Sequence, residues 1–187
     1  MNPEKILEKY YRPGTELYRI LTIHSRQVRD KALRIAEQHP ELGADRRFIE
    51  EAALLHDIGI LMCNAPRIHC TGSKHYLQHG YLGAEILLKE GLPRHALVCE
   101  RHTGTGISLQ QIVERNLPLP HRDMRPVSVE EQIICYADKF YSKTELHSEH
   151  SLERIRQSLL HHGEENVRVF NQWHARFATT DGTKDQR

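Results

Sequence analysis

The sequence predicts an all-α domain. Three observations carry that prediction. Apolar residues recur at spacings of three and four along most of the chain, no segment alternates with the period of two that a half-buried strand needs, and capping residues and helix stops fall at the ends of the periodic stretches. The composition fits: of 187 residues, 39% are hydrophobic and 27% charged, an ordinary balance for a chain that folds in water.

Residues 15–38 place Leu17, Ile20, Leu21, His24, Val28, Ala32 and Ile35 on one helical face, with Gly14 or Thr15 to cap the start and His39-Pro40 to stop it. A second helix over 45–58 begins at Asp45, carries Phe48, Ile49, Ala52, Leu55 and His56, and has Gly59 as its expected C-terminal cap. The segment 60–75 has no period and contains Pro66 and Gly72, so it reads as a loop; a loop of that length suits a lid over a cleft. Helices follow over 76–90, ended by Gly91, over 93–103, opened by Pro93, and over 108–115. A proline-rich loop leads to Ser128, which with Glu131 forms a capping box before a helix over 129–143.

Two further helices, 150–162 and 164–178, carry Leu152, Ile155 and Leu159, then Val167, Phe170, Trp173 and Phe177. Their apolar stripes pack on the core or form a dimer seam. The expected organisation is one domain over 1–187, with a core over 15–145, a helical extension over 146–178 and a polar tail over 179–187.

Charge excludes some partners. Lysine plus arginine is 26 against 25 acidic residues, so the chain lacks the positive excess of a general nucleic-acid or membrane-surface binder. The four cysteines include no CxxC pair, and the first residues hold no apolar run of signal-peptide length. The expectation is a cytoplasmic protein with reduced thiols. Histidine is the outlying count, at 14 residues. Most, including His39, His95, His121, His147, His150, His161 and His162, sit among polar residues or at helix ends and are expected to be solvated. Cys63, His69, Cys70 and His75 cluster in the loop, at spacings that match no familiar zinc finger.

Others fall where a surface histidine has no business. His24 lies on the apolar stripe of its helix, and His56-Asp57 follows the apolar run Ala52-Ala53-Leu54-Leu55. Asp138 is set among Ile133, Ile134, Ala137 and Phe140. Buried carboxylates must be paired or hold a cation. Adjacent helical residues project about 100° apart, so His56 and Asp57 can approach one ion from neighbouring directions. Two histidines with two carboxylates make a divalent transition-metal site with room for water.

This H…HD…D pattern, with HD inside ALLHDIGI and the last aspartate inside CYADKF, resembles the HD-domain superfamily of metal-dependent phosphohydrolases over roughly residues 15–145. It is most similar to HDIG-domain proteins and to the bacterial HD-fold hydrolases of diadenosine tetraphosphate. HGYLGAEILLKEG and CERHTGTGIS are also similar to family segments. The resemblance implies an HD-domain helical bundle, here with two extra C-terminal helices. It makes His24, His56, Asp57 and Asp138 ligands of a first metal and His79 and His102 ligands of a second, with Asp57 bridging and catalytic in that sense. One or two divalent ions (iron, manganese, cobalt, nickel or zinc) are implied, and a pair would generate a hydroxide that attacks phosphorus. The implied substrate is a phosphomonoester or phosphoanhydride of a small, nucleotide-like molecule. Many relatives continue HD with a lysine three residues on; here that position is Ile60. The phosphate contacts are then expected from Lys139, by analogy with family ADK segments, or from Lys74, His75, Arg101, Arg122 or Arg125. His75 and Lys139 are also candidates to protonate the leaving group.

The same six ligands resemble those of the HD-fold di-iron oxygenases. A metal-stabilised regulatory module without catalysis is the third class.

Overall fold

The computed structural model describes residues 1–178; the polar tail expected over 179–187 lies outside the described residues. Helices α1 (Pro3–Tyr10), α2 (Glu16–Gln38), α3 (Arg46–Leu55), α4 (His79–Lys89), α5 (Pro93–Arg101), α6 (Leu109–Glu114), α7 (Val129–Asp138), α8 (Leu152–Leu160) and α9 (Glu164–Phe177) make up the bundle. The expected N-terminal caps are in place, whereas the C-cap of α3 is His56 rather than Gly59. Thr15 accepts the Tyr18 N–H at the start of α2, and Asp45 accepts the Phe48 N–H at the start of α3. Ser108 and Ser128 each close a reciprocal capping box, with Gln111 and Glu131. Because the Ser128 box satisfies donors at the start of the helix that carries Asp138, Ser128→Ala is expected to lower stability by about 1 kcal/mol, read as a shift of the urea midpoint with an unchanged slope.

Several expectations are corrected. The helix expected over 15–38 is α2, but a further helix precedes it: Asn2 caps α1, whose Ile6 and Leu7 are buried. The helix expected over 45–58 ends at Leu55, and a 3₁₀ stretch, Ile58–Met62, leads into the expected loop, which contains a short antiparallel pair, β1 (Asn64–Ala65) and β2 (Cys70–Thr71), with Ala65 opposite Cys70. Two-residue strands are too short to show an alternation in sequence. The pair is held by Gly72 N–H donating to Cys63 O and Lys74 N–H donating to Met62 O. Finally, α7 stops at Asp138 rather than running to 143. Beyond it the bonds tighten to i→i+3, with Tyr141 N–H donating to Asp138 O, and the chain turns back on the bundle.

Beside a small apolar cluster of Ile112, Leu119 and Met124, two large ones fill most of the interior. One joins Val28, Ala32 and Ile35 of α2 to Ile133 and Ile134 of α7 and to Phe170, Trp173 and Phe177 of α9. The other joins Ile20 and Leu21 of α2 to Leu55, Ile58, Ile60, Leu87 and Cys99, with α1 closing it. The extra C-terminal helices therefore pack on the core, one of the two uses open to their stripes. His95, expected at the surface, is buried edge-on against Phe48, ring centroids 4.9 Å apart. No helix among the described residues is long and apolar enough to cross a membrane.

Candidate metal centre

His24 lies on α2 between Leu21 of one apolar cluster and Val28 of the other, so it enters the interior at their boundary. The other expected ligands reach that point from helix ends. His56 is the C-cap of α3 and Asp57 the next residue; His79 opens α4, His102 is the C-cap of α5, and Asp138 closes α7. All six come together. His24, His56, Asp57 and Asp138 present one ligand atom each within 4.8 Å of one another, as do Asp57, His79 and His102.

Asp57 is the shared member, and its two oxygens divide the histidines. Oδ2 lies 3.2 Å from both His24 Nε2 and His56 Nε2, while Oδ1 lies 3.5 Å from His79 Nε2 and 3.4 Å from His102 Nε2. Asp138 Oδ1 completes the first group, 3.0 Å from His24 Nε2 and 3.4 Å from His56 Nε2. These separations suit donors sharing one ion at bonds of about 2.1 Å.

The hydrogen bonding shows why a cation fits. His56, His79 and His102 each donate Nδ1–H to the carbonyl three residues earlier (Ala53, Tyr76 and Cys99), every one at 2.7 Å. That bond fixes the tautomer and leaves the Nε2 lone pair pointing into the centre. His79 and His102 therefore face each other with Nε2 atoms 3.0 Å apart, a repulsive arrangement unless positive charge stands beside them. His56 Nε2 and Asp57 Oδ1 are wholly buried and receive no hydrogen bond, and Asp57 Oδ2 has the Lys143 ammonium beside it at 2.6 Å. Buried polar atoms left this way are costly, and a divalent ion satisfies them together.

The titration behaviour follows from the same geometry. Burial, reinforced by the neighbouring His102, pushes His79 down to about 3, and burial lowers His102 as well, so both rings are neutral ligands near pH 7. Burial also opposes charge on His56, but Asp57 and Asp138 outweigh it and push the ring up to about 9, the mark of a strongly negative potential at its Nε2. Burial works against ionising Asp57 and Asp138 too. Lys143 for the first and Lys139 for the second overcome it and hold both carboxyls well below their usual range.

Lys143 is the residue that the sequence reading missed. Its Nζ stands 2.6 Å from Asp57 Oδ2, with the side chain 13% exposed. On a helix continuing to 143 it would lie about 140° around from Asp138, facing away; the i→i+3 turns after Asp138 bring it back to the centre.

The expected phosphate-contacting residues are only partly assembled. Lys139 stands at the centre, but its ammonium is engaged, 2.8 Å from Asp138 Oδ2 and 3.0 Å from the His102 carbonyl. Arg101 points away, as the neighbour of His102 must: it pairs with Glu131 at 2.9 Å and lines a separate cleft of about 960 Å³ on the α6–α9 side. Lys74 is exposed on the hairpin, and His75 is exposed with its Nδ1 accepting the Leu77 N–H as a turn cap. Neither lines the cleft that opens onto Asp138. Arg122 and Arg125 are paired with Glu100 and Asp123. Nor do Cys63, His69, Cys70 and His75 converge among the described residues. The two cysteines are buried thiols pushed up to about 11, while the two histidines are exposed.

The HD domain model matches residues 21–143 of this sequence. The chain belongs to the HD domain family. All six converging residues fall inside the match. This HD domain is similar over 120 residues, at 36% identity, to a tRNA (cytidine(56)-2'-O)-methyltransferase of Picrophilus torridus, covering 64% of this chain and 30% of that protein. An uncharacterized protein of Methanocaldococcus jannaschii is 35% identical over 107 residues, 57% of this chain and 56% of the relative. The namesake methyltransferase of Thermoplasma volcanium is 32% identical over 137 residues, 73% of this chain and 35% of the relative. The chain thus spans between about a third and somewhat more than half the length of these curated relatives. Among solved structures, the HD domain of the phosphodiesterase PgpH of L. monocytogenes matches with a TM-score of 0.54 over 91% of this chain and 93% of that one, at 17% identity, a likeness of fold.

Proposed function

We infer that this HD domain is a metal-dependent phosphohydrolase that cleaves a phosphomonoester or phosphoanhydride of a small, nucleotide-like molecule. The observation that carries this reading is the charge balance of the centre. Asp57 and Asp138 are each already matched by a lysine, Lys143 at 2.6 Å and Lys139 at 2.8 Å. Each divalent ion held there adds positive charge that the protein does not neutralise, and an anionic phosphate is the complement that restores balance.

When bound, the ions supply the Lewis acidity that draws a nucleophile from water at neutral pH and offsets charge on the phosphoryl oxygens. His24, His56 and Asp138 would hold one ion and His79 and His102 the other, with Asp57 between them. The backbone carbonyls of Ala53, Tyr76 and Cys99 keep three of the rings oriented and in the right tautomer. Lys139 holds Asp138 in place. The cleft of about 400 Å³ that reaches Asp138 lies within the size range of small-molecule sites (about 300–1,000 Å³) and is walled by Tyr76 and Tyr141, which suits a substrate with a ring. The relatives named as tRNA methyltransferases extend far beyond the matched segment, and their named activity is not carried over to this chain.

Aryl and nucleoside phosphates incubated anaerobically with Mn²⁺-loaded protein are expected to release phosphate, and chelation to abolish that release. Turnover that strictly requires dioxygen would replace this reading with the oxygenase, and metal binding without turnover of any phosphate ester would leave the regulatory module.

A further inference from the structure

We propose that Lys143 and Arg67 form a two-point anion subsite in the cleft, Lys143 gripping the phosphoryl group beside the metal centre and Arg67 a second anionic group nearer the mouth. The preferred substrates are then molecules carrying at least two phosphate charges along one chain. This deepens the phosphohydrolase reading and rests on it.

The position that carries a lysine in many HD hydrolases is Ile60 here, and Ile60 is fully buried in the apolar cluster under α1 and α4, so no cation comes from that point. Lys143 arrives from a different element, the turns after α7, and is the one cleft lysine whose ammonium meets the bridging carboxylate. Arg67 lines the same cleft from another element, the turn between β1 and β2. Its guanidinium has no hydrogen-bond or ion-pair partner among the described residues. The carboxylate whose charge it influences, Glu145, is taken in a two-point pair by Arg154, at 2.6 and 2.7 Å.

The charge of the cleft wall is one-sided. Arg67, Lys139 and Lys143 share this wall with one carboxylate, Asp138, which Lys139 occupies, while Lys143 meets Asp57 behind it, so Arg67 is the cation left without a partner among the described residues. The Ser142 and Thr144 hydroxyls, 2.9 Å from each other, line the same cleft. An arginine left unpaired beside a cleft that otherwise satisfies its charges is matched by a second anion, because guanidinium takes phosphate oxygens two at a time.

The test is binding rather than turnover, so it separates from the test of hydrolysis. Methylphosphonate and methylenediphosphonate, neither of which can be cleaved at phosphorus–carbon bonds by hydrolysis of an ester, are titrated calorimetrically into the Mn²⁺-loaded protein at constant free Mn²⁺. Wild-type protein is expected to bind the diphosphonate about tenfold more tightly than the monophosphonate, the scale of one charge-assisted contact. Arg67→Ala, an exposed change, is expected to erase that difference and leave methylphosphonate binding as it was. Lys143→Met is expected to weaken both ligands about tenfold. Because Lys143 also neutralises buried Asp57, its variant is scored only with wild-type manganese content and melting temperature; the Arg67 arm decides the proposal if it fails either check. Undiminished preference for the diphosphonate in Arg67→Ala overturns the proposal, as does unchanged methylphosphonate binding in a metal-replete Lys143→Met.

Discussion

Asp57→Asn is expected to strip the protein of metal and of phosphate-ester hydrolysis in one step. The substitution keeps the volume of a residue that is wholly buried, so packing is nearly unchanged. What goes is the charge that faces four imidazole nitrogens, all within 3.5 Å of one or other of its oxygens. Loss of an outer partner that merely orients a ligand costs about 10–100-fold in metal affinity or activity. Loss of the residue shared by both groups of ligands should exceed that range, so manganese content falls to background and turnover by more than about 100-fold. The change also leaves the Lys143 ammonium facing a neutral amide in the interior, and breaking a buried pair from one side costs about 3–5 kcal/mol, so the melting temperature drops as well. His95→Gln is the control: it alters a buried histidine outside the centre and should leave metal and turnover intact. Measured by elemental analysis beside a phosphate-release assay, an Asp57→Asn protein that keeps its metal and its rate ends the assignment.

Why was so much of this centre legible in the sequence? His24, His56, Asp57 and Asp138 are polar residues on stripes that are otherwise apolar, and a stripe that is buried drags its exceptions inward with it. The helices themselves were set by period and caps, which are local properties, and Thr15, Asp45, Ser108 and Ser128 each cap as their neighbours require. What could not be read depends on how helices end. Lys143 reaches Asp57 only because the chain abandons α-helical hydrogen bonding after Asp138, and nothing in ADKFYSK announces that stop. Arg101 turns away from the centre for the converse reason: being next to His102 in sequence gives it a different direction in space. The hairpin between Asn64 and Thr71 is held by backbone bonds to residues on both sides of it, a pairing that leaves no trace in side-chain pattern. His95 shows the limit of composition. It stands in the first turn of α5, beside Arg94 and near a helix end, but Phe48 on another helix covers it.

Gly59→Ala is expected to be among the most damaging single-atom-group changes available to the protein, and its effect separates two uses of glycine. The sequence suggests a C-terminal cap at Gly59, yet its backbone is not left-handed. It sits in the 3₁₀ stretch after Asp57 because α4 crosses it at backbone distance. An added Cβ would lie 2.2 Å from the His79 carbonyl oxygen and 2.4 Å from the Gly83 nitrogen. Both are main-chain atoms of α4, which cannot rotate aside as a side chain does. Relief requires moving the helix, and that helix carries His79 and rests on Gly83, whose own Cβ would meet Cys99 Sγ at 2.3 Å. Overpacking typically costs about 1–3 kcal/mol and more where the obstacle is rigid, so a loss of about 3 kcal/mol or greater is expected from urea denaturation. Gly43→Ala provides the contrast. Gly43 is left-handed, at φ 60°, with nothing within 4 Å of an added Cβ, so it bears the conformational penalty alone, about 1–2 kcal/mol. The two variants should differ in metal binding too. Displacing α4 carries His79 away from His102 and Asp57, so Gly59→Ala protein that still folds is expected to lose manganese from the His79–His102 side first, while Gly43→Ala keeps its full complement. Equal stabilities for the two variants, or undisturbed metal content in Gly59→Ala, would show that α4 is free to shift without consequence for the centre, contrary to the close backbone crossing that positions it.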